Sequence, residues 1–335
     1  MYELAKPAAL KPGSTIKFIA PSSLLRDVEI SAGIRFLQKQ GFKVVFSPSI
    51  THASPTRFFT TGDYLRKQEL ENAFKSDEVD AIIALRGGAG AIDLLSIIDY
   101  DVIKDHPKIF VGYSDLTLLQ LAFLKKAHLV SFQGPMFIDL LEKDTSILTY
   151  NWDTLLKVVK DGEMLELKNP AETKWAKTVI EGKAKGTIIG GNMSMVSLIA
   201  NTEFMPSTQN ALIFLEDSDV PSWMVDNILT SLVIRGVFND ASGVFFGEFP
   251  HEAIDRMMSA FNPTSYLLED LSVDAFVTSS ISDVIIDILT KKIKKPSFID
   301  FSCCHGRYIT TVPIGIQAEL DAENCTVKML ERAVD

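Results

Sequence analysis

Cysteine is scarce in this chain: 335 residues include only Cys303, Cys304 and Cys325. Three thiols cannot all pair, and no CxxC or HxxxH spacing supplies metal ligands, so neither a disulfide framework nor a zinc site organises the fold. Cys303 and Cys304 would alternate to opposite faces of an extended segment and read as two buried strand thiols; a thiol or metal site shared with His305 is the alternative. Long apolar runs are missing too. No window approaches the roughly 18 apolar residues of a membrane span, and Met1 to Pro12, with Lys6 and Lys11, lacks the apolar core of a signal peptide. Positive charge is in deficit, with 33 Lys and Arg against 43 Asp and Glu and a net charge of −10, which opposes nucleic acid and anionic membranes as partners. Nucleotide loops are absent: Arg86-Gly87-Gly88-Ala89-Gly90 has Asp93 where a GxGxxG loop needs its third glycine, and no GxxxxGK[ST] occurs. The expectation is a reduced, cytoplasmic protein that needs no metal or cofactor and takes a small molecule or peptide, with monomer and homodimer both open as its assembly.

What is present is the composition of a globular protein, 47% hydrophobic and 23% charged, in a chain long enough for two domains. The first half alternates strands and helices. Thr15 to Ala20, Phe42 to Ser47, Ala81 to Leu85, Lys108 to Val111 and Leu129 to Phe132 read as strands. Helical spacing falls at Asp27 to Gln40, Asp63 to Lys75, Ala91 to Ile98 and after Ser114. Such βαβ alternation predicts a doubly wound, mainly parallel sheet that binds ligands beyond the carboxyl ends of its strands. A weakly periodic stretch from Asp161 to Lys185, with Pro170 inside it, reads as a connection. Beyond it, strands at Gly186 to Ile189, Ala211 to Leu215, Gly243 to Phe246 and Pro296 to Phe301 alternate with helices near Trp223 to Val233 and His251 to Phe261. Thr311 to Leu330 suggests two strands around a turn at Asp321 to Asn324. The expected architecture is two α/β domains, residues 1–162 and 186–335, the second with mixed strands, joined by residues 163–185.

Val111-Gly112-Tyr113-Ser114-Asp115 places a serine where an apolar strand gives way to an amphipathic helix. A hydroxyl held on such a turn projects beyond the sheet beside the amides of a new helix, the layout a serine nucleophile needs. An N-cap serine is the other reading, since Ser and Asp commonly start helices. Gly87 or Gly88 could let the backbone approach a reacting carbonyl and donate N–H to an oxyanion, or could simply permit a tight turn. Of five histidines, His305 follows a strand and precedes Gly306 in a loop, whereas His52, His106, His128 and His251 lie near element boundaries. Glu216 and Asp217 directly follow the strand Ala211 to Leu215, so one carboxylate should project from its end.

Taken together, Arg86 to Gly90, Pro107 to Leu118, Gly190 to Thr202, Ile213 to Asp217 and His305 to Gly315 resemble, in order, the sequence blocks of the LD-carboxypeptidases of the serine-peptidase class, which include the microcin-immunity peptidases. The resemblance implies a triad of Ser114 as nucleophile, His305 as base and Glu216 as its orienting carboxylate. It also implies an oxyanion hole from the backbone N–H groups of Asp115 and of Gly88 or its neighbour, in a cleft between the domains. Its substrates would be a murein tetrapeptide, losing its terminal D-Ala, or a microcin-type peptidyl-nucleotide. Between Glu248 and His305 the chain is long, which looks more like the immunity branch. Departures from the family pattern are Cys304 in place of the common glycine before the histidine, Ala89 in place of an aromatic residue, and Asn201 at a frequent glycine position. A two-domain peptide or nucleotide sensor with a degenerate triad is the non-catalytic alternative.

Overall fold

A computed structural model describes residues 4–25, 30–51, 61–173, 176–250 and 280–335. In the first half lie β1 (Thr15–Ile19), β2 (Lys43–Phe46), β3 (Ala81–Ala84), β4 (Ile109–Gly112) and β5 (Ser131–Gln133). Helices α1 (Ser31–Lys39), α2 (Pro48–Thr51), α3 (Asp63–Lys75), α4 (Tyr100–Asp105) and α5 (Thr117–Ala127) connect them, and α6 (Thr145–Val159) follows. The second half holds β6 (Glu166–Leu167), β7 (Lys177–Ile180), β8 (Lys183–Asn192), β9 (Ala211–Glu216), β10 (Gly243–Gly247) and β11 (Ser297–Phe301). Next come β12 (Val312–Ile314), β13 (Gln317–Asp321) and β14 (Thr326–Met329); its helices are α7 (Met193–Ile199), α8 (Ser222–Ile234) and α9 (Ile281–Ile288).

Two sheets result. The first has the order β12-β5-β4-β3-β1-β2, with β1 to β5 all parallel. The second has the order β6-β14-β13-β8-β9-β10-β11-β7, in which β8 to β11 are parallel and the flanking pairs antiparallel. This is the expected two-domain α/β fold, with a mainly parallel first sheet and a mixed second one. Every residue of β3, β4, β9 and β10 is buried, as befits central strands covered on both faces. Aromatic rings fill both layers: Phe110 meets Phe123 of α5 edge-on at 5.1 Å, and Phe214 stacks on Phe245 at 4.9 Å.

Several elements differ from the sequence expectation. The weakly periodic stretch from Asp161 to Lys185, expected to be a connection, holds β6, β7 and the start of β8. β7 is an edge strand with half-exposed or exposed residues throughout, so it carries no apolar alternation to read. Ala91 to Ile98 forms only a 3-10 turn, Ala91–Leu94, after Gly90 at φ 114°. Thr311 to Leu330 makes three strands instead of two, and the first crosses to the other sheet: β12 pairs antiparallel with β5, Val312 opposite Gln133 and Ile314 opposite Ser131. Pro313 is tolerated there because β12 is an edge strand. The expected helix at His251 to Phe261 and the start of the one at Asp27 lie outside the described residues.

The strand ends converge. β3 leads into Arg86-Gly87-Gly88, β4 into Ser114, β9 ends at Glu216, and the loop after β11 carries His305.

Candidate active site

Ser114 sits one residue beyond Tyr113 at the end of β4, with its backbone in the left-handed region at φ 64°. A non-glycine residue pays strain for that conformation, so the surroundings must hold it. They do so from three sides. Gln120 Nε2 on α5 donates to the carbonyls of Gly112 (3.0 Å) and Phe132 (2.7 Å), fixing the end of β4 against β5. Gly87 packs so closely that a Cβ there would stand 2.7 Å from Ser114 Cβ and 3.0 Å from its Oγ. The Asp115 carboxylate is buried, accepting from Ser22 Oγ and from the Ala91 N–H at 2.9 Å. The fully buried Arg66 donates to the carbonyls of Pro21 and Gly90 (2.9 Å) and pairs with Asp63 at 2.7 Å, which ties the glycine loop to the same block. The N-cap alternative is not realised: neither the 3-10 turn Ser114–Leu116 nor α5 has a side-chain cap, so the hydroxyl is not spent on a helix end.

Glu216 closes β9 and is fully buried; its Oε2 lies 2.6 Å from His305 Nδ1. Its Oε1 is buried with no hydrogen-bond partner among the described residues. Asp217 is engaged elsewhere. It accepts from Asn192 Nδ2 (2.9 Å), Ser194 N–H (2.9 Å), Ser194 Oγ (2.6 Å) and Ser218 N–H (3.0 Å), which secures the start of α7. His305 is presented by Cys304, whose φ of 50° is the left-handed turn that glycine adopts more easily. Cys303 and Cys304 are therefore not extended strand residues: both lie buried beyond the end of β11. Burial pushes both thiols upward in pKa, Cys304 strongly, which disfavours the thiolate form. Asn201 has φ 64°, so it too occupies a position suited to glycine.

Burial alone would lower the His305 pKa, but the Glu216 carboxylate and its hydrogen bond, aided by Asp217 and Asp139, raise it above the ordinary imidazole value. The Tyr113 ring meets the imidazole edge-on at 5.0 Å, and its hydroxyl donates to Asp139 Oδ1 at 3.0 Å. Asp139 also accepts the Met136 N–H at 2.8 Å; desolvation pushes its carboxyl up to about 6. Tyr113 and Asp139 escaped the sequence reading. Tyr113 lies within the serine motif, where nothing in the sequence marks its hydroxyl, and Asp139 follows an apolar Met-Phe-Ile run in which a lone acid is the only signal.

Ser114, His305, Arg86, Gly87 and Gly88 line one cavity of about 300 Å³. His305 and Asp139 border both this cavity and a second, of about 860 Å³, which Glu142, Asp144, Glu248 and Arg307 also line. The structure thus brings Ser114, Gly88 and His305 to one space, with Glu216 behind the imidazole. Serine and imidazole share that space without a hydrogen bond between them, a contact that commonly tightens only when substrate is bound. Among the other histidines, His106 and His128 terminate α4 and α5, while His52 and His251 lie outside the described residues. No group of three His, Cys, Asp or Glu suited to a metal occurs among the described residues, and none of their helices could cross a membrane.

Residues 16–134 match the LD-carboxypeptidase N-terminal domain and residues 185–320 the LD-carboxypeptidase C-terminal domain. The chain belongs to the LD-carboxypeptidase family. Among relatives of this peptidase family, a probable murein peptide carboxypeptidase of Bacillus subtilis is 28% identical, covering 96% of this chain and 93% of its own. The microcin self-immunity protein MccF of Escherichia coli is 27% identical over 98% and 96% of the two chains. A crystal structure of an MccF-like protein from Bacillus anthracis superimposes with a TM-score of 0.81 at 28% identity, covering 97% of this chain and 99% of the other. The muramoyltetrapeptide carboxypeptidase of Oxalobacter formigenes shares the fold, with a TM-score of 0.76 at 23% identity over 94% and 98%. This LD-carboxypeptidase-family chain therefore has relatives named for murein peptide carboxypeptidase activity and for microcin self-immunity.

Proposed function

We propose that this protein is a serine carboxypeptidase acting through Ser114, His305 and Glu216. The observation that carries the reading is the 2.6 Å contact between buried Glu216 and His305 Nδ1, beside a cavity that holds Ser114 in a strained turn. Ser114 Oγ attacks the carbonyl carbon of the scissile amide while His305 Nε2 takes its proton; Glu216 holds the tautomer and stabilises the imidazolium. The carbonyl oxygen becomes an oxyanion, for which the backbone N–H groups of Gly88 and Asp115 are the donors. With its carboxylate committed to Ser22 and Ala91, Asp115 has only its backbone to offer. The imidazolium then protonates the departing amine, and a water deprotonated by His305 hydrolyses the acyl-serine.

Of the two substrate classes, the murein tetrapeptide fits the charge of the site better. Four carboxylates, Asp139, Glu142, Asp144 and Glu248, border the larger cavity against the single guanidinium of Arg307, itself 3.6 Å from Asp144. Such a wall repels a nucleotide phosphate and attracts the side-chain ammonium of the dibasic residue that precedes D-Ala. The chain length between Glu248 and His305 favoured the microcin class, but residues 251–279 within it lie outside the described part. Incubating the purified protein with a murein tetrapeptide and with a peptidyl-adenylate, followed by mass spectrometry of both, tests the reading. Release of D-Ala is expected; cleavage of the adenylate alone would reverse the choice, and cleavage of neither would favour the sensor alternative.

A further inference from the structure

The two cavities that meet at His305 differ in charge, and the smaller one has an unspent cation. Arg86 is half-buried in the wall that also holds Ser114 and the Gly87-Gly88 turn. Among the described residues no carboxylate or carbonyl engages its guanidinium. The contrast with the other arginine in this region is informative: Arg66 donates to Pro21, Gly90 and Asp63, lies 3.9 Å from Asp93 and serves the loop's structure, so the loop does not need Arg86 for its own support. A half-buried guanidinium without an anion beside a nucleophile is a ready carboxylate site, because its planar fork matches both carboxylate oxygens.

We propose that Arg86 binds the terminal carboxylate of the substrate and thereby makes the enzyme a carboxypeptidase. The proposal rests on the serine-peptidase reading given above. With the scissile carbonyl at Ser114, the leaving residue falls in the smaller cavity of about 300 Å³ and the acyl portion in the larger one. A carboxylate directed into the larger cavity would face Glu142, Asp144 and Glu248 as well as Asp139, which borders both cavities; directed into the smaller, it meets Arg86, with Asp139 the one carboxylate in that lining. Attraction on one side and repulsion on the other set the direction of the peptide, and both disfavour chains whose terminal carboxylate is blocked.

Calorimetric binding to the Ser114→Ala protein separates this role from turnover. The probes are a murein tetrapeptide and the same peptide amidated at its C-terminus. The free acid should bind about 10- to 100-fold more tightly than the amide, a preference in the range of a charge-assisted hydrogen-bonded pair. Adding Arg86→Met should abolish that preference while leaving amide affinity unchanged, and Arg86→Lys should retain part of it. Equal binding of acid and amide, binding of neither, or a preference that survives Arg86→Met would overturn the proposal. Arg86→Met weakening acid and amide alike would assign the residue to loop structure instead. If the preference is present but protein with intact Ser114 leaves the tetrapeptide uncut, the carboxylate site stands and the serine-peptidase reading fails.

Discussion

Ser114 holds φ at 64°, a conformation that costs a serine about 1 kcal/mol or more, yet its hydroxyl caps no helix. Strain without a local structural return fits a residue kept for chemistry. Ser114→Ala should therefore leave thermal stability nearly unchanged while lowering kcat on the order of 10⁴- to 10⁶-fold. Retention of a tenth of wild-type activity would remove it from the nucleophile role. At Glu216 the expected outcome is a change in both rate and pH profile. A general base must be neutral in the free enzyme, so kcat/KM falls as pH drops through the His305 pKa. Because Glu216 raises that pKa, the acid limb of the wild type should lie above the ordinary imidazole value, and the weak residual activity of Glu216→Gln should have its limb at lower pH. His305→Ala should be about as damaging as Glu216→Gln, and the double variant scarcely worse than the worse single, since parts of one catalytic unit do not add. Additive losses, or an unmoved acid limb, would separate Glu216 from His305.

At the level of elements, the site depends on how β8 and α5 meet across the two sheets. Gly191, at φ 138°, approaches so closely that a Cβ would lie 2.4 Å from Gln133 Nε2 and 2.6 Å from Thr117 Oγ1. Those groups form a buried network: Gln133 Nε2 donates to Thr117 Oγ1 (3.0 Å) and Gln120 Oε1 (2.6 Å), and the Asn192 N–H donates to Thr117 Oγ1 (3.0 Å). Gly191→Ala is expected to destabilise the protein by more than about 2 kcal/mol, through overpacking and a broken network, as read by urea denaturation. A loss within about 0.5 kcal/mol would show that the contact relaxes freely. Much of this frame was legible in the sequence, because buried parallel strands are apolar runs and β1, β3, β4 and β9 announce themselves that way. The ends of β4 and β9, and the loop after β11, also marked Ser114, Glu216 and His305 as candidates. Elements whose stability comes from distant partners were not legible. β7 is exposed on an edge, β12 is a short proline-bearing strand whose mate lies about 180 residues earlier, and Asp139 meets Tyr113 only in the folded chain, 26 positions away.

Across the whole molecule, the two sheets are interlocked instead of merely adjacent. β12 belongs by sequence to the second half and by pairing to the first, and Tyr150 Oη and Thr310 Oγ1, 2.7 Å apart, reinforce the crossing. Calorimetry should consequently show one cooperative unfolding transition; two well-separated transitions would mean that the crossing strand does not couple the halves. The same crossing keeps Ser114 of one sheet opposite His305 and Glu216 of the other, on which the catalytic reading rests. That reading is tested most directly by treating the protein with a serine-directed acylating reagent and mapping the adduct by peptide mass spectrometry. The account predicts a single adduct on the peptide containing Ser114, loss of peptidase activity in proportion to labelling, and no such adduct in His305→Ala. Labelling elsewhere, or full activity in protein acylated at Ser114, would contradict it.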